Sequence, residues 1–182
     1  MPTFVLAFVG MPGSGKSEAS AFLHKKGTPI VRLGDLTEEV IKEKNLPLTP
    51  ENEEKTREAL RKEFGMGAYA QKAIEKIRSY LSQSSVIIDG LYSWEEYIIL
   101  KKEFPELQLV HIYAEPEVRY ERLSKRKVRP FTKEEARKRD IAEIEHVAKG
   151  GPIAIADFCV INNTNIENLY DQLRIIEERI QQ

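Results

Sequence analysis

The run from Phe4 to Val9 is unbroken in its apolar character and is ended by Gly10. So short and continuous a run predicts a strand of a parallel sheet, covered on both faces. From Lys16 to Lys26 the apolar residues Ala19, Phe22 and Leu23 return at helical spacing, and Gly27 supplies a stop. Short apolar runs recur at Pro29 to Leu33, Ser85 to Ile88, Leu107 to Ala114 and Asp157 to Ile161, predicting four more strands. Between them lies helix-start chemistry: Thr49 as an N-cap before Pro50, the capping boxes Ser93 to Glu96 and Thr132 to Glu135, and Pro116 opening a further helix. Ile166, Leu169, Leu173, Ile176 and Ile180 mark one face of a C-terminal packing helix.

Strands alternating with helices predict an α/β fold, with a mainly parallel sheet flanked by helices and joined by right-handed crossovers. No repeat or linker divides the chain, so residues 1–182 are expected to form one domain. Two inserts depart from simple alternation. Residues 36–83 read as two or three helices in succession, and the basic stretch 119–139 reads as a lid; both could cover a ligand.

Composition narrows the function classes. Lys and Arg number 28 against 29 Asp and Glu, a net charge of -1, which gives no basic footprint for nucleic acid or an anionic membrane. The single cysteine, Cys159, can form no internal disulfide, and no pair of cysteines offers thiolates to zinc, which suits a cytoplasmic protein. The N-terminal apolar run is too short to span a bilayer and lacks the flanks of a signal peptide. Abundant Lys and Glu suit a thermophile and, equally, solvated helix faces.

The chemistry is concentrated after the first strand. Gly10-Met11-Pro12-Gly13-Ser14-Gly15-Lys16-Ser17 satisfies G-x-x-x-x-G-K-[ST] between a predicted strand and a predicted helix. Such a loop turns backbone N–H groups toward an anion at a helix N-terminus. Its glycines are expected to be needed because a Cβ would block the approach of phosphate to the backbone. Lys16 would meet the β and γ phosphates, and the Ser17 hydroxyl would bind Mg2+. Asp89, ending the run Ser85 to Ile88, has the form of the second carboxylate that holds Mg2+. No N-K-x-D segment reads guanine, and 182 residues leave no room for the extra domains usual in motor and unfolding ATPases. A small phosphotransferase remains.

These motifs, together with Gly34-Asp35 after the second strand, Arg119-x-x-Arg122, and Ala156-Asp157-Phe158-x-Val160-Ile161-Asn162, resemble the nucleoside monophosphate kinase group of P-loop proteins. The chain is most similar to archaeal adenylate-kinase-related proteins of unassigned activity, whose nearest characterised relatives include dephospho-CoA kinase. The resemblance spans nearly the whole chain. It implies a five-stranded parallel sheet of order 2-3-1-4-5, ATP as donor, Asn162 at the nucleotide site, and an acceptor site under the insert after the second strand. By analogy with family lids, Arg122 and Arg126 would close on the phosphates, with Arg129 and Arg139 behind them. Dephospho-CoA kinases have an Asp near the position of Asp35, which would accept the acceptor's hydroxyl proton. The alternative for Asp35 is an N-cap of the helix starting near Leu36. Adenylate kinases carry D-G-F-P-R where this chain has Asp89-Gly90-Leu91-Tyr92-Ser93, so the arginine that would meet an AMP phosphate is missing.

The remaining residues are read from spacing. Arg119, Arg122 and Arg126 would share one helix face, as lid groups or as a solvated face. Arg57 and Arg61, one turn apart, could grip an acceptor's phosphate or carboxylate, or pair with nearby Glu. Gly65-Met66-Gly67 reads as a helix stop and as a hinge. Trp94 and Tyr97 are expected on the core, and Cys159 within a strand. Three functions fit: an ATP-dependent kinase of a small nucleotide-like acceptor such as a nucleoside monophosphate or dephospho-CoA, an assembly or regulatory ATPase, and a nucleotide-binding module with little turnover.

Overall fold

In the computed structural model, which describes residues 3–127 and 130–180, the five apolar runs become β1 (Val5–Val9), β2 (Ile30–Arg32), β3 (Val86–Asp89), β4 (Gln108–Tyr113) and β5 (Phe158–Ile161). All pair in parallel, in the order β2-β3-β1-β4-β5. At the centre, Ala7 lies between Ile88 on β3 and Leu109 on β4.

The helices are α1 (Lys16–Lys25), α2 (Asp35–Glu43), α3 (Pro50–Phe64), α4 (Ala68–Leu81) and α5 (Trp94–Glu103). They continue as α6 (Pro116–Ser124), α7 (Lys133–Val147), α8 (Gly150–Ala154) and α9 (Ile166–Ile180). The two sides of β1 explain why its apolar run is continuous. Val5, Ala7 and Val9 pack with Ile77 of α4 and Leu100 of α5, whereas Phe4, Leu6 and Phe8 pack with Leu23 of α1 and Leu169 and Leu173 of α9. Each set is buried, so neither face tolerates a polar position.

Local signals are realised where they were read. Thr49 accepts from the Asn52 N–H, Ser93 and Thr132 each complete a capping box, and Gly65 ends α3 at φ 78. Among the described residues no helix is long and apolar enough to cross a membrane.

Three expectations change. Trp94 is 38% exposed, because it opens α5 and lies against Gly151, with Tyr97 beside it as the partly buried member of the pair. Cys159 does lie in β5, but on its exposed side. Arg126 lies beyond the end of α6 at Ser124, so it does not share a helix face with Arg119 and Arg122. Arg129 lies outside the described residues.

Candidate functional site

The carboxyl ends of β1, β2 and β3 lead directly into the segment Gly10 to Ser17, into Asp35, and into Asp89 followed by Gly90. In a parallel sheet these ends open on one crevice, so three chemical segments far apart in sequence meet there.

The loop from Gly10 to Ser17 is shaped from behind. Gly13 (φ 79) and Gly15 (φ 103) hold the left-handed conformation that side chains resist. A Cβ on Gly13 would stand 2.7 Å from the Arg119 carbonyl oxygen, and one on Gly15 would stand 2.3 Å from Asn162 Nδ2. Both collisions are with the protein supporting the loop. The glycines are therefore required by backbone conformation and by packing behind the loop, a reason additional to the expected one of a Cβ blocking phosphate.

Two residues act as that support. Asn162 is buried, donates from Nδ2 to the Ser14 carbonyl at 2.8 Å, and does not line the cleft in front. Arg119 is also buried. It donates to the Pro12 carbonyl at 3.0 Å and to both carboxylate oxygens of Asp140 at 2.9 and 2.6 Å. A charge expected in a lid or on a wet face is instead a brace between the loop and α7. Sequence reading missed its partner Asp140.

In front of the loop lies a cleft of about 540 Å3, lined by Pro12, Gly13, Gly15, Lys16 and Ser17 and by Asp89, Tyr92, Arg122, Arg126, Arg139, Glu143 and Lys149. Lys16 donates from Nζ to the carbonyls of Gly10 (2.7 Å) and Met11 (3.0 Å), folding back on its own loop. Burial, and next the nearby Lys149 ammonium, bring its pKa down from 10.5 to about 7. An anion in the cleft would oppose both effects. Arg122 Nη2 reaches Asn162 Oδ1 at 3.4 Å, while Arg122 Nη1 is buried with no hydrogen-bond partner. A buried guanidinium donor without a partner is costly, and a move of the side chain onto an anion in the cleft would relieve it. Nucleotide phosphates would suit this cleft: backbone N–H groups at the start of α1, Lys16 and Arg122 could hold them, and Ser17 and Asp89 carry the oxygens suited to Mg2+. Burial raises the Asp89 pKa, while Arg32, 3.7 Å away, and Lys16 pull it down.

A second cavity of about 880 Å3 adjoins the first and shares Asp89, Tyr92, Arg139 and Glu143 with it. Asp35, Arg57 and Arg61 all line it, so the sequence-derived acceptor residues do come together. Asp35 is the first residue of α2 and Gly34 holds the cap position, where no side-chain hydrogen bond caps the helix. The capping reading of Asp35 therefore falls, because the chain enters α2 one residue earlier than expected. Arg57 lies 3.6 Å from Glu53, the surface pairing foreseen as its alternative. Arg61 differs: its Nε is buried without a hydrogen-bond partner, and its guanidinium lies 6.0 Å from the ring centre of Tyr69. Tyr69 in turn shares a 2.7 Å hydrogen bond with Thr37 of α2.

Lys149 and Glu143 also went unread. Both line the first cleft and form an ion pair there. The sequence offers only a weak hint, a lysine before Gly150-Gly151 just past a well-capped helix.

Comparison with known proteins agrees with this architecture. Residues 6–144 match the family described as AAA domain. A UPF0200 protein of Thermococcus kodakarensis is 36% identical over 181 residues, covering 97% of each chain. Among solved structures, a Thermus thermophilus protein superposes with a TM-score of 0.68 at 16% identity, covering 98% of each chain. Shikimate kinase from Bacteroides thetaiotaomicron superposes with a TM-score of 0.61 at 16% identity, covering 98% of this chain and 99% of that one. At such identities these structures share the fold, a P-loop kinase fold. With its glycine loop, its strand order and its whole-length relatives in agreement, the chain belongs to the UPF0200 family of AAA-domain P-loop proteins.

Proposed function

We propose that this protein is a phosphotransferase that moves the γ-phosphoryl group of Mg2+-bound ATP to a small, anionic, nucleotide-sized acceptor. One observation carries the reading. Two cavities share a wall, and each is lined by an arginine with one buried nitrogen that has no partner: Arg122 (Nη1) beside the P-loop cleft and Arg61 (Nε) beside the adjoining chamber. An ATPase needs one anion site; two adjoining sites, each lined by an arginine that the protein leaves short of an acceptor, suit a donor phosphate and an acceptor's own phosphate or carboxylate.

The chain's residues divide the work accordingly. Gly10, Met11, Pro12, Gly13, Ser14 and Gly15 supply or shape the backbone cradle, with Asn162 holding it from behind. Lys16 leaves the loop carbonyls for the phosphates, and Ser17 and Asp89 hold Mg2+. Arg122 and Arg126 neutralise the charge that develops on the transferred group. Arg61, with Arg57 at the rim, orients the acceptor. Asp35 accepts the proton of the attacking hydroxyl, for which its position in the second chamber beside Asp89 suits it. The chamber takes a nucleoside monophosphate or a dephospho-CoA-like molecule by size. The missing arginine after Asp89-Gly90 favours a hydroxyl acceptor over AMP.

The test is ATP consumption measured across a panel of phosphorylated hydroxyl metabolites. We expect one member to raise turnover at least tenfold and to emerge phosphorylated. Asp35→Asn, folded to the same thermal stability, should lower that acceptor-dependent rate by about a hundredfold. ATP hydrolysis indifferent to every acceptor, and to Asp35→Asn, would leave an assembly ATPase as the better account.

A further inference from the structure

Helix α7 ends abruptly at Ala148, which takes the left-handed conformation at φ 50 and turns the chain back toward the P-loop. The next residue is Lys149, only 2% exposed. Its ammonium is ion-paired with Glu143 on α7 and lies 4.6 Å from the ring centre of Tyr92. Lysine is among the residues least often buried, and a purely structural role at this spot would be filled at less cost by an apolar side chain. Lys149 instead lines the P-loop cleft, in which five cationic side chains meet the carboxylates of Glu18, Asp89 and Glu143. Its two partners, Glu143 and Tyr92, line both the cleft and the acceptor chamber. The lysine is thus held where the two cavities join, which is where a phosphoryl group would have to cross.

We propose that Lys149 is a second phosphate-binding lysine, which contacts the γ-phosphate end of the nucleotide and rests on Glu143 when no phosphate is present. The assignment rests on the phosphotransferase reading above and extends it to a residue outside the glycine loop and the arginine lid. Glu143 serves as a stand-in for phosphate oxygens. It spares the empty site an unpaired buried ammonium, and on binding it yields that ammonium to the ligand while keeping its bond from Arg139 Nε, now 3.1 Å. Lys16 makes a similar exchange, from the carbonyls of Gly10 and Met11 to phosphate.

Calorimetric titration of the whole protein with Mg2+-bound ADP and with the Mg2+-bound imido analogue of ATP tests this without reference to turnover. In Lys149→Met, which keeps the aliphatic bulk, affinity for the triphosphate analogue should fall about tenfold to a hundredfold, the worth of one charged hydrogen bond, with ADP affinity within about twofold of wild type. Lys149→Arg should recover part of the loss. Glu143→Gln should raise the ratio of triphosphate to diphosphate affinity severalfold, because the competing carboxylate is gone, and it answers the question even if Lys149→Met fails to fold. Equal losses for both nucleotides in Lys149→Met, or a lowered ratio in Glu143→Gln, would make the pair structural and overturn the proposal. Failure of the wild type to bind either nucleotide would instead strike the phosphotransferase reading itself.

Discussion

Removing the guanidinium of Arg119 should destabilise the protein more than its position in a charged segment suggests. The side chain is bidentate on Asp140 at 2.9 and 2.6 Å, and also donates to the carbonyls of Pro12 at 3.0 Å and Ala114 at 3.2 Å. Side-chain exposure is 6% for Arg119 and 11% for Asp140, so water cannot replace what is lost. In Arg119→Met the Asp140 carboxylate would keep, among the described residues, only the Tyr120 hydroxyl, 2.9 Å away. Leaving one member of a buried pair uncompensated costs about 3–5 kcal/mol. For a chain of this size that lowers Tm by about 6–20 °C.

The double variant Arg119→Met/Asp140→Leu separates the charge from the packing. Replacing both members of a buried pair with apolar groups is often close to neutral, so it should recover at least about 2 kcal/mol. Urea denaturation followed by circular dichroism measures both, with an unchanged slope against urea confirming that the same surface is exposed. ATP affinity should fall in both variants, since the Pro12 carbonyl loses its donor in each. A loss below about 1 kcal/mol in the single variant, or a double variant no more stable than the single, would refute the brace.

Other expectations follow from the same geometry. Gly15→Ala forces φ 103 on a side chain whose Cβ would meet Asn162 Nδ2 at 2.3 Å, so it should cost at least about 1–2 kcal/mol and weaken the thermal stabilisation given by Mg2+-bound ATP. Arg122→Ala and Arg126→Ala should each lower acceptor-dependent turnover by about a thousandfold while changing ATP affinity far less, and losses under threefold would return them to solvated charges. His111 has its pKa pushed below 6.5, first by burial and then by Lys16. The unfolded chain therefore takes up the proton first, and stability should decline as pH falls through about 6.5. In His111→Gln the urea midpoint should vary less between pH 7 and pH 5 than in wild type.

What the sequence disclosed is what short-range chemistry encodes. The caps at Thr49, Ser93 and Thr132 involve partners three residues away, and the phosphate loop is contiguous, so both stood in plain view. The five strands were legible from their runs, because burial on both faces leaves a continuous apolar segment. Their order was not: it came from the family resemblance, since no local pattern says that β3 should enter between β1 and β2. Arg119 escaped for a related reason. Its partners lie 21 and 107 residues away, and its spacing to Arg122 advertised a wet face that tertiary packing had already taken.

Arg57 and Arg61 show how far spacing can go and where burial takes over. A separation of four residues on α3 correctly turns both toward one side, and both reach the acceptor chamber. The same spacing offers each a glutamate on its own helix, so sequence alone treats them as equals. Packing breaks the tie. Arg57 lies 42% exposed beside Glu53, and a pair so wet contributes little and yields little specificity. Arg61 sits against Tyr69, which a 2.7 Å hydrogen bond shared with Thr37 ties to α2, and there its Nε is sealed from water with no acceptor. The helix insert thus carries a buried, unmet donor on a residue that lines the chamber, at the expense of its own stability, as Arg122 does across the shared wall. On the phosphotransferase reading a substrate anion would remove that cost by drawing each side chain into its cavity, so the anionic ends of donor and acceptor should lie beside these two arginines, one on each side of Asp89 and Tyr92.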